Sequence, residues 1–224
     1  MTVELSPQEG YAAWSSIYDG DGNPLIAVEG PAMSRRFGDL SGKLALDLGC
    51  GTGRHCVTLI EAGASVVGLD LTPEMVELAR LKFKPDQDIR WLIHALPEPL
   101  PFADQTFDLV VMGLVAEHLA DFRGTMAEVA RVLKPGARVL VSNLHPDRTA
   151  EGQRPRFIDP QTGERQPIQG YHRTLTEIQA DAGPELEFIE EEVLVVNPGL
   201  ATTLPRAERY VGIPLGWLGV WIRR

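Results

Sequence analysis

Cysteine is scarce in this 224-residue chain, which has only Cys50 and Cys56. Six residues apart and with no second pair, they match neither a disulfide framework nor a zinc-ligand spacing. They call for no metal and fit a reducing, cytoplasmic compartment. Long apolar runs are also missing. Leu109 to Ala116 and Ile213 to Ile222 fall short of the roughly 20 residues that span a bilayer. The opening MTVELSPQEG has neither the basic nor the apolar segment of an export signal, so the expectation is a protein that is neither secreted nor membrane-inserted. Positive charge is in deficit, with 21 Lys and Arg against 31 acids and a net charge of -10. That balance opposes unspecific attraction to nucleic acid or to an anionic membrane. Internal repeats and low-complexity tracts are absent as well.

What is present is the composition of an ordinary globular protein, 44% hydrophobic and 23% charged, long enough for one sizeable domain and short for two. From residue 43 onward, β-rich runs alternate with helical segments. This is the pattern of parallel strands joined by crossover helices. Strands are expected at Lys43 to Leu48, Ser65 to Leu69, Ile89 to Ile93, Phe107 to Gly113 and Arg138 to Leu144. Helices are expected from Arg54 to Ala62, stopped by Gly63, after a Thr72 cap with Pro73 in the first turn, and over Phe122, Met126, Val129 and Leu133 up to Lys134-Pro135-Gly136. Residues 146–170 break the rhythm. They are polar and proline-bearing, with Asp159-Pro160-Gln161-Thr162-Gly163 as a turn, and read as a small hairpin or lid. A helix at Thr174 to Ala182, a strand at Leu186 to Val196, a loop from Asn197 to Pro214 and a final strand at Leu215 to Ile222 complete the chain. The whole reads as a doubly wound, Rossmann-like α/β sheet.

The chemistry-bearing segment is Asp47-Leu48-Gly49-Cys50-Gly51-Thr52-Gly53. A glycine-rich turn between a strand and its helix lets the backbone approach a nucleotide, and an acid ending the next strand can take ribose hydroxyls. Asp70 stands there. The ligand is a dinucleotide or S-adenosylmethionine. The Gly-x-Gly-x-Gly spacing led by Asp47 favours the second, since a carboxylate beside the loop repels a pyrophosphate and suits an ammonium and a sulfonium.

Four stretches, Leu46 to His55, Val67 to Met75, Leu100 to Asp108 and Glu128 to Gly136, resemble in order the motifs of class I S-adenosylmethionine-dependent methyltransferases. The likeness is strongest to the small bacterial group related to quinone-biosynthesis methyltransferases. It is continuous over about residues 41–145 and weaker upstream through Tyr11, Trp14, Tyr18-Asp19 and Asn23-Pro24. It implies seven strands, mostly parallel with the last antiparallel, and S-adenosyl-L-methionine as cofactor. Asp47 and the backbone of Gly49, Gly51 and Gly53 would hold the methionyl part. Asp70 would take the ribose, Leu71 would pack on the adenine, and Gly113 would face the ammonium. Ala95 stands where many relatives carry an acid, so adenine recognition would rest on the backbone of Ala95 and Leu96. The implied layout is a single methyltransferase domain over 1–224: a helical cap (1–40), a cofactor-binding core (41–145), a lid (146–170) and a C-terminal helix with two strands (171–224).

Methyl transfer from a sulfonium needs the acceptor held in line, so positioning and desolvation supply much of the rate and no triad is required. If a base assists, histidine is the commonest choice. His145 follows strand five at the edge where doubly wound sheets bind ligands, and His172 follows the lid. His118 reads as a supporting residue, and His55 and His94 as helix-surface and strand-end residues. Tyr11, Trp14 and Tyr18 share one helical face, which either docks on the main sheet or closes over the cofactor with Tyr18 lining the acceptor pocket. Residues 145–173 carry five arginines against four acids, one net positive charge where the remainder carries eleven net negative. That contrast points to a small-molecule acceptor of anionic character or to a solvated mixed-charge loop. Methyl transfer to a small molecule is the expected activity. A catalytically silent cofactor-binding scaffold or sensor and a dinucleotide-dependent oxidoreductase are the alternatives.

Overall fold

A computed structural model describes residues 4–85, 87–96 and 98–224. In chain order the elements are α1 (Pro7–Tyr18), α2 (Pro24–Ser34), β1 (Leu44–Leu48), α3 (Arg54–Glu61), β2 (Ser65–Asp70), α4 (Pro73–Lys82), β3 (Ile89–Ile93) and β4 (Phe107–Gly113). A single 3-10 turn (Ala116–His118) leads to α5 (Phe122–Val132), β5 (Leu133–Leu144), α6 (Pro146–Ala150), β6 (Arg156–Ile158), β7 (Arg165–Pro167), α7 (Leu175–Asp181), β8 (Leu186–Val195), α8 (Pro198–Thr203), a second 3-10 turn (Pro205–Tyr210) and β9 (Pro214–Arg223).

Seven strands form one sheet in the order β3-β2-β1-β4-β5-β9-β8. β1 to β5 pair in parallel, and β9 runs antiparallel between β5 and β8, as the motif resemblance implies. Period-two alternation sends side chains to two cores. Leu46, Leu48, Val67, Leu69, Val110 and Met112 face α5 and α7, while Ala45, Val66, Leu109 and Val111 face α2 and α3. By that parity Asp47 points to the α2 and α3 side. Among the described residues no helix is long and apolar enough to cross a membrane.

Several boundaries differ from the sequence expectation. β5 begins at Leu133, pairing with Phe107 ahead of a register irregularity, so Lys134-Pro135-Gly136 belongs to the strand rather than only ending a helix. Thr72 precedes α4 without a side-chain cap bond, because its amide donates to Asp70 Oδ1 at 2.8 Å and the acid organises the turn. The expected hairpin forms as β6 and β7, but it is preceded by α6, whose first residue is Pro146. The loop expected from Asn197 to Pro214 contains α8, capped by Asn197, whose Oδ1 accepts from Leu200 N at 2.8 Å.

The aromatic face of α1 does not dock on the main sheet. Trp14 stacks on Phe157 of β6 with centroids 5.5 Å apart, and both pack with Ile168 in a third small core. Leu5 pairs with Ile168 in a parallel bridge, and the Leu5 amide donates to the Pro167 carbonyl at 3.0 Å. α1 and the β6–β7 hairpin therefore pack together as one layer, while α2 of the cap packs on the sheet.

Candidate functional site: two adjoining cavities

The glycine turn hangs from the neighbouring strand. The amides of Gly49 and Cys50 donate to the Leu69 carbonyl at 2.7 and 3.0 Å, and the Gly51 amide donates to Asp70 Oδ2 at 2.7 Å. Gly49 has φ 70, and a Cβ there would overlap Val115, so only glycine satisfies both backbone and space. Gly51 has φ 52 with open space where a Cβ would stand. That space is part of a cavity of about 300 Å³, referred to here as the loop cavity. Gly49, Gly51, Asp70, Leu71, Leu96 and Gly113 line it. Burial pushes the Asp70 carboxyl up from its ordinary range, and the amide bonds from Thr72 and Gly51 pull back.

Three residues expected to hold the cofactor lie outside that lining. Asp47 is buried under the turn on the α3 side. Its Oδ2 accepts from Cys56 Sγ at 3.2 Å while its Oδ1 has no partner, and burial raises its pKa. Gly53 starts α3 with φ 81, and a Cβ there would press on Phe83 and Trp91. Ala95 is passed over in favour of its neighbours His94 and Leu96.

A second cavity of about 270 Å³, the arginine cavity, adjoins the first between cap and lid. Tyr11, Tyr18 and Leu114 line both. Tyr18 thus stands at the junction, its phenol pushed up to about 12 mainly by burial. Leu114 is one of two non-glycine residues with positive φ among the described residues, at 59. Its amide donates to Ser142 Oγ at 3.1 Å.

The two histidines expected near the chemistry face neither cavity. His145 caps α6, its Nδ1 accepting the Asp147 amide at 3.4 Å. His172 Nδ1 and Thr149 Oγ1 are hydrogen-bonded at 2.7 Å. His118 instead lines the loop cavity. The Gln169 carbonyl, 2.7 Å from Nδ1, can only accept, which leaves Nε2 to accept from the Tyr11 hydroxyl at 3.0 Å. Burial lowers the His118 pKa to about 4, so the ring is neutral.

Two buried acids were missed. Glu29 of α2, fully buried, meets Arg54 Nη1 at 2.5 Å and His55 Nε2 at 3.1 Å, and accepts from Ser142 Oγ at 2.7 Å. Burial alone would raise its pKa, but the charges of His55 and Arg54 outweigh it and hold the carboxyl well below its usual range. His55, expected on a helix surface, is buried in this cluster, which ties the cap to the glycine turn. Asp19 at the end of α1 adds to that tie, accepting from Thr52 Oγ1 at 2.7 Å and pairing with Lys82 at 2.5 Å. Glu117 lines the arginine cavity, and its Oε2 is buried without a partner. A charged residue inside a mostly apolar run gave no periodic signal in either case.

Residues 46–141 match the family model described as a methyltransferase domain. The demethylmenaquinone methyltransferase of Tropheryma whipplei strain Twist is 36% identical over 118 residues, 52% of this chain and 48% of that one. That of Clavibacter sepedonicus is 33% identical over 151 residues, covering 63% and 61%. The chain spans about half the length of the first of these relatives. An S-adenosylmethionine dependent methyltransferase from Mesorhizobium loti superposes with a TM-score of 0.74 at 26% identity, over 90% of this chain and all of the other. Residues 46–141 thus carry a methyltransferase domain, similar in fold and sequence to S-adenosylmethionine-dependent methyltransferases. The family match ends at residue 141, before β6, β7 and every arginine of the second cavity.

Proposed function

We propose that the protein transfers the methyl group of S-adenosyl-L-methionine to a small molecule held in the arginine cavity. The observation that carries this reading is the junction: a cavity built on the glycine turn opens beside a second one, and Tyr11, Tyr18 and Leu114 line both. The cofactor supplies an electrophilic methyl on a sulfonium. Asp70 would hold the ribose hydroxyls with the oxygen lone pairs that Gly51 and Thr72 leave free. Leu71, Leu96 and Met75 would sandwich the adenine, and the open space at Gly51 would admit the methionyl group beside the backbone of Gly49 and Gly113. The orphaned Asp47 oxygen acts from beneath the turn as a negative field rather than as a direct ligand. Tyr18 aligns the acceptor and closes the junction against water, while His145 and His172 support the lid. The cap, core and lid act together as a single domain. The acceptor is a small molecule of anionic character, in a protein of the cytoplasm.

Calorimetric titration with S-adenosylhomocysteine and, separately, with reduced dinucleotides tests this assignment. Micromolar binding of the first alone is expected, and binding of a dinucleotide alone would overturn it. Binding of S-adenosylhomocysteine without turnover over a broad acceptor panel would make the protein a silent scaffold.

A further inference from the structure

Six arginines line the second cavity: Arg148, Arg154, Arg156, Arg165, Arg206 and Arg209. Arg148 pairs with Glu151 and Arg206 with Asp21. Among the described residues, Arg154, Arg156, Arg165 and Arg209 have no carboxylate partner. Arg154 donates only to the carbonyls of Thr149 and Gln153, and Arg156 to the Gln153 side-chain oxygen. Like charges gathered on one concave wall repel each other unless a ligand compensates them. Burial and then the neighbouring Arg165 hold the Arg156 pKa below its ordinary value, with Arg148 and Arg209 adding to the effect.

The buried acid of the cavity lining is Glu117. The segment from Leu114 to His118 straddles the two sites. Val115 and His118 line the loop cavity, Glu117 lines the arginine cavity, and Leu114 lines both. Glu117 therefore belongs to the end that adjoins the cofactor, with one carboxyl oxygen buried and unpartnered. Tyr11, Trp14, Tyr18 and Phe157 add aromatic surface to the lining.

Resting on the methyl-transfer reading above, we infer that the acceptor is a small, ring-bearing organic oxyanion. Its carboxylate or phosphate is held by Arg154, Arg156, Arg165 and Arg209, and its hydroxyl or amino nucleophile is presented to Glu117. In the transfer, the nucleophile's lone pair forms the bond to the methyl carbon as the carbon–sulfur bond breaks with its pair going to sulfur, and the nucleophile's proton passes to Glu117 in the molecules whose carboxyl is ionised, a form that gains population above neutral pH. Bidentate guanidinium pairing suits both carboxylate and phosphate. An uncharged, lipophilic acceptor would leave the four arginines uncompensated.

The groups facing Glu117 narrow what can titrate beside it. On α1, burial keeps Tyr11 and Tyr18 protonated well beyond neutral pH. On α2, Glu29 stays ionised, adjacent His118 stays neutral, and Arg148 of α6 and the other cavity arginines stay charged. Glu117 itself is pushed up to about 8, chiefly by burial.

The test uses the full chain loaded with S-adenosylhomocysteine and titrated with benzoate, phenyl phosphate and, as the uncharged control, benzamide. At least one anion is expected to bind tenfold or more tighter than benzamide, and which anion binds better separates carboxylate from phosphate recognition. The Arg156→Ala/Arg165→Ala double variant is expected to lose that discrimination while binding S-adenosylhomocysteine within twofold of the parent. Benzoate affinity should fall between pH 7 and 9 as Glu117 ionises, and the fall should vanish in Glu117→Gln. Equal binding of anion and benzamide, or discrimination that survives the double variant, overturns the oxyanion assignment. A pH slope that survives in Glu117→Gln overturns the placement of Glu117. Failure of S-adenosylhomocysteine itself to bind would strike the methyl-transfer reading instead, with anion discrimination still readable in the unloaded chain.

Discussion

The loop cavity and the arginine cavity adjoin, yet they are built in opposite ways. The first is anchored on the glycine turn and the ends of β2 and β4, with side chains of α1 and α4 completing its wall. Gly51 leaves open space, Gly49 and Gly113 let Val115 and His55 pack close, and Asp70 fixes the turn through two amide bonds. The second is made of long side chains contributed by the cap, α6, β6, β7 and the segment after α8. A site formed by backbone tolerates little change in geometry and keeps one ligand, whereas a site lined by arginines and aromatics on cap and lid can be respecified without disturbing the sheet. Consistent with this, the family match covers the glycine turn and strand ends of the first region and stops short of the lid.

The strongest way to break the contrast is Gly51→Val. The open volume above Gly51 would be filled, and S-adenosylhomocysteine binding should be lost by calorimetry while the circular dichroism of the fold persists. A folded variant that still binds would move the cofactor site elsewhere. Trp14→Ala should come next, costing about 3–5 kcal/mol of stability through the lost packing on Phe157 and Ile168. If α1 and the β6–β7 hairpin are one layer, hydrogen exchange should rise in residues 156–168 together with 7–18 and leave β1 and β4 protected. Asp70→Ala should weaken S-adenosylhomocysteine by about 1.5–3 kcal/mol, and unchanged affinity would remove Asp70 from the ribose.

The smallest expected effect is acid sensitivity at the seam. Burial depresses the His118 pKa to about 4 from an unfolded value of about 6.5, so the unfolded chain binds the proton first. The stabilisation is complete above about pH 6.5 and declines as pH falls toward about 4. Allowing for its partial exposure, the loss amounts to about 2 kcal/mol. Urea melts of the parent and His118→Gln between pH 7 and 4 should converge at the acid end. Parallel curves would show that His118 is not held neutral.

What the sequence made legible follows from how locally each feature is encoded. β3 and β4 were bounded to the residue, because Ile89–Ile93 and Phe107–Gly113 are apolar runs between turn signals. The glycine turn was legible from its local spacing, as was the shared face of Tyr11, Trp14 and Tyr18, which repeat at helical spacing and place Tyr18 where the two cavities meet. The misses depend on long-range partners. Nothing near Glu29 announces Arg54, His55 and Ser142, which come from 25 to 113 residues away. His145 looked like a base because it ends a strand, but Pro146 behind it begins a helix and turns the ring into a cap. Of the five arginines counted between residues 145 and 173, Arg173 is drawn away to the carbonyls of Ala116 and Ala120, at 3.2 and 3.0 Å, while Arg206 and Arg209 enter from a segment read as loop.

Leu114 carries a left-handed backbone, which a non-glycine residue holds at about 1–2 kcal/mol above glycine. Its side chain is also the partition shared by the two cavities. Leu114→Gly would relieve the backbone but give up the side chain's packing on the second core and the wall shared by the two cavities. At this position backbone strain is held in place by side-chain packing, so the residue easiest on the backbone is the one that would open the junction to solvent.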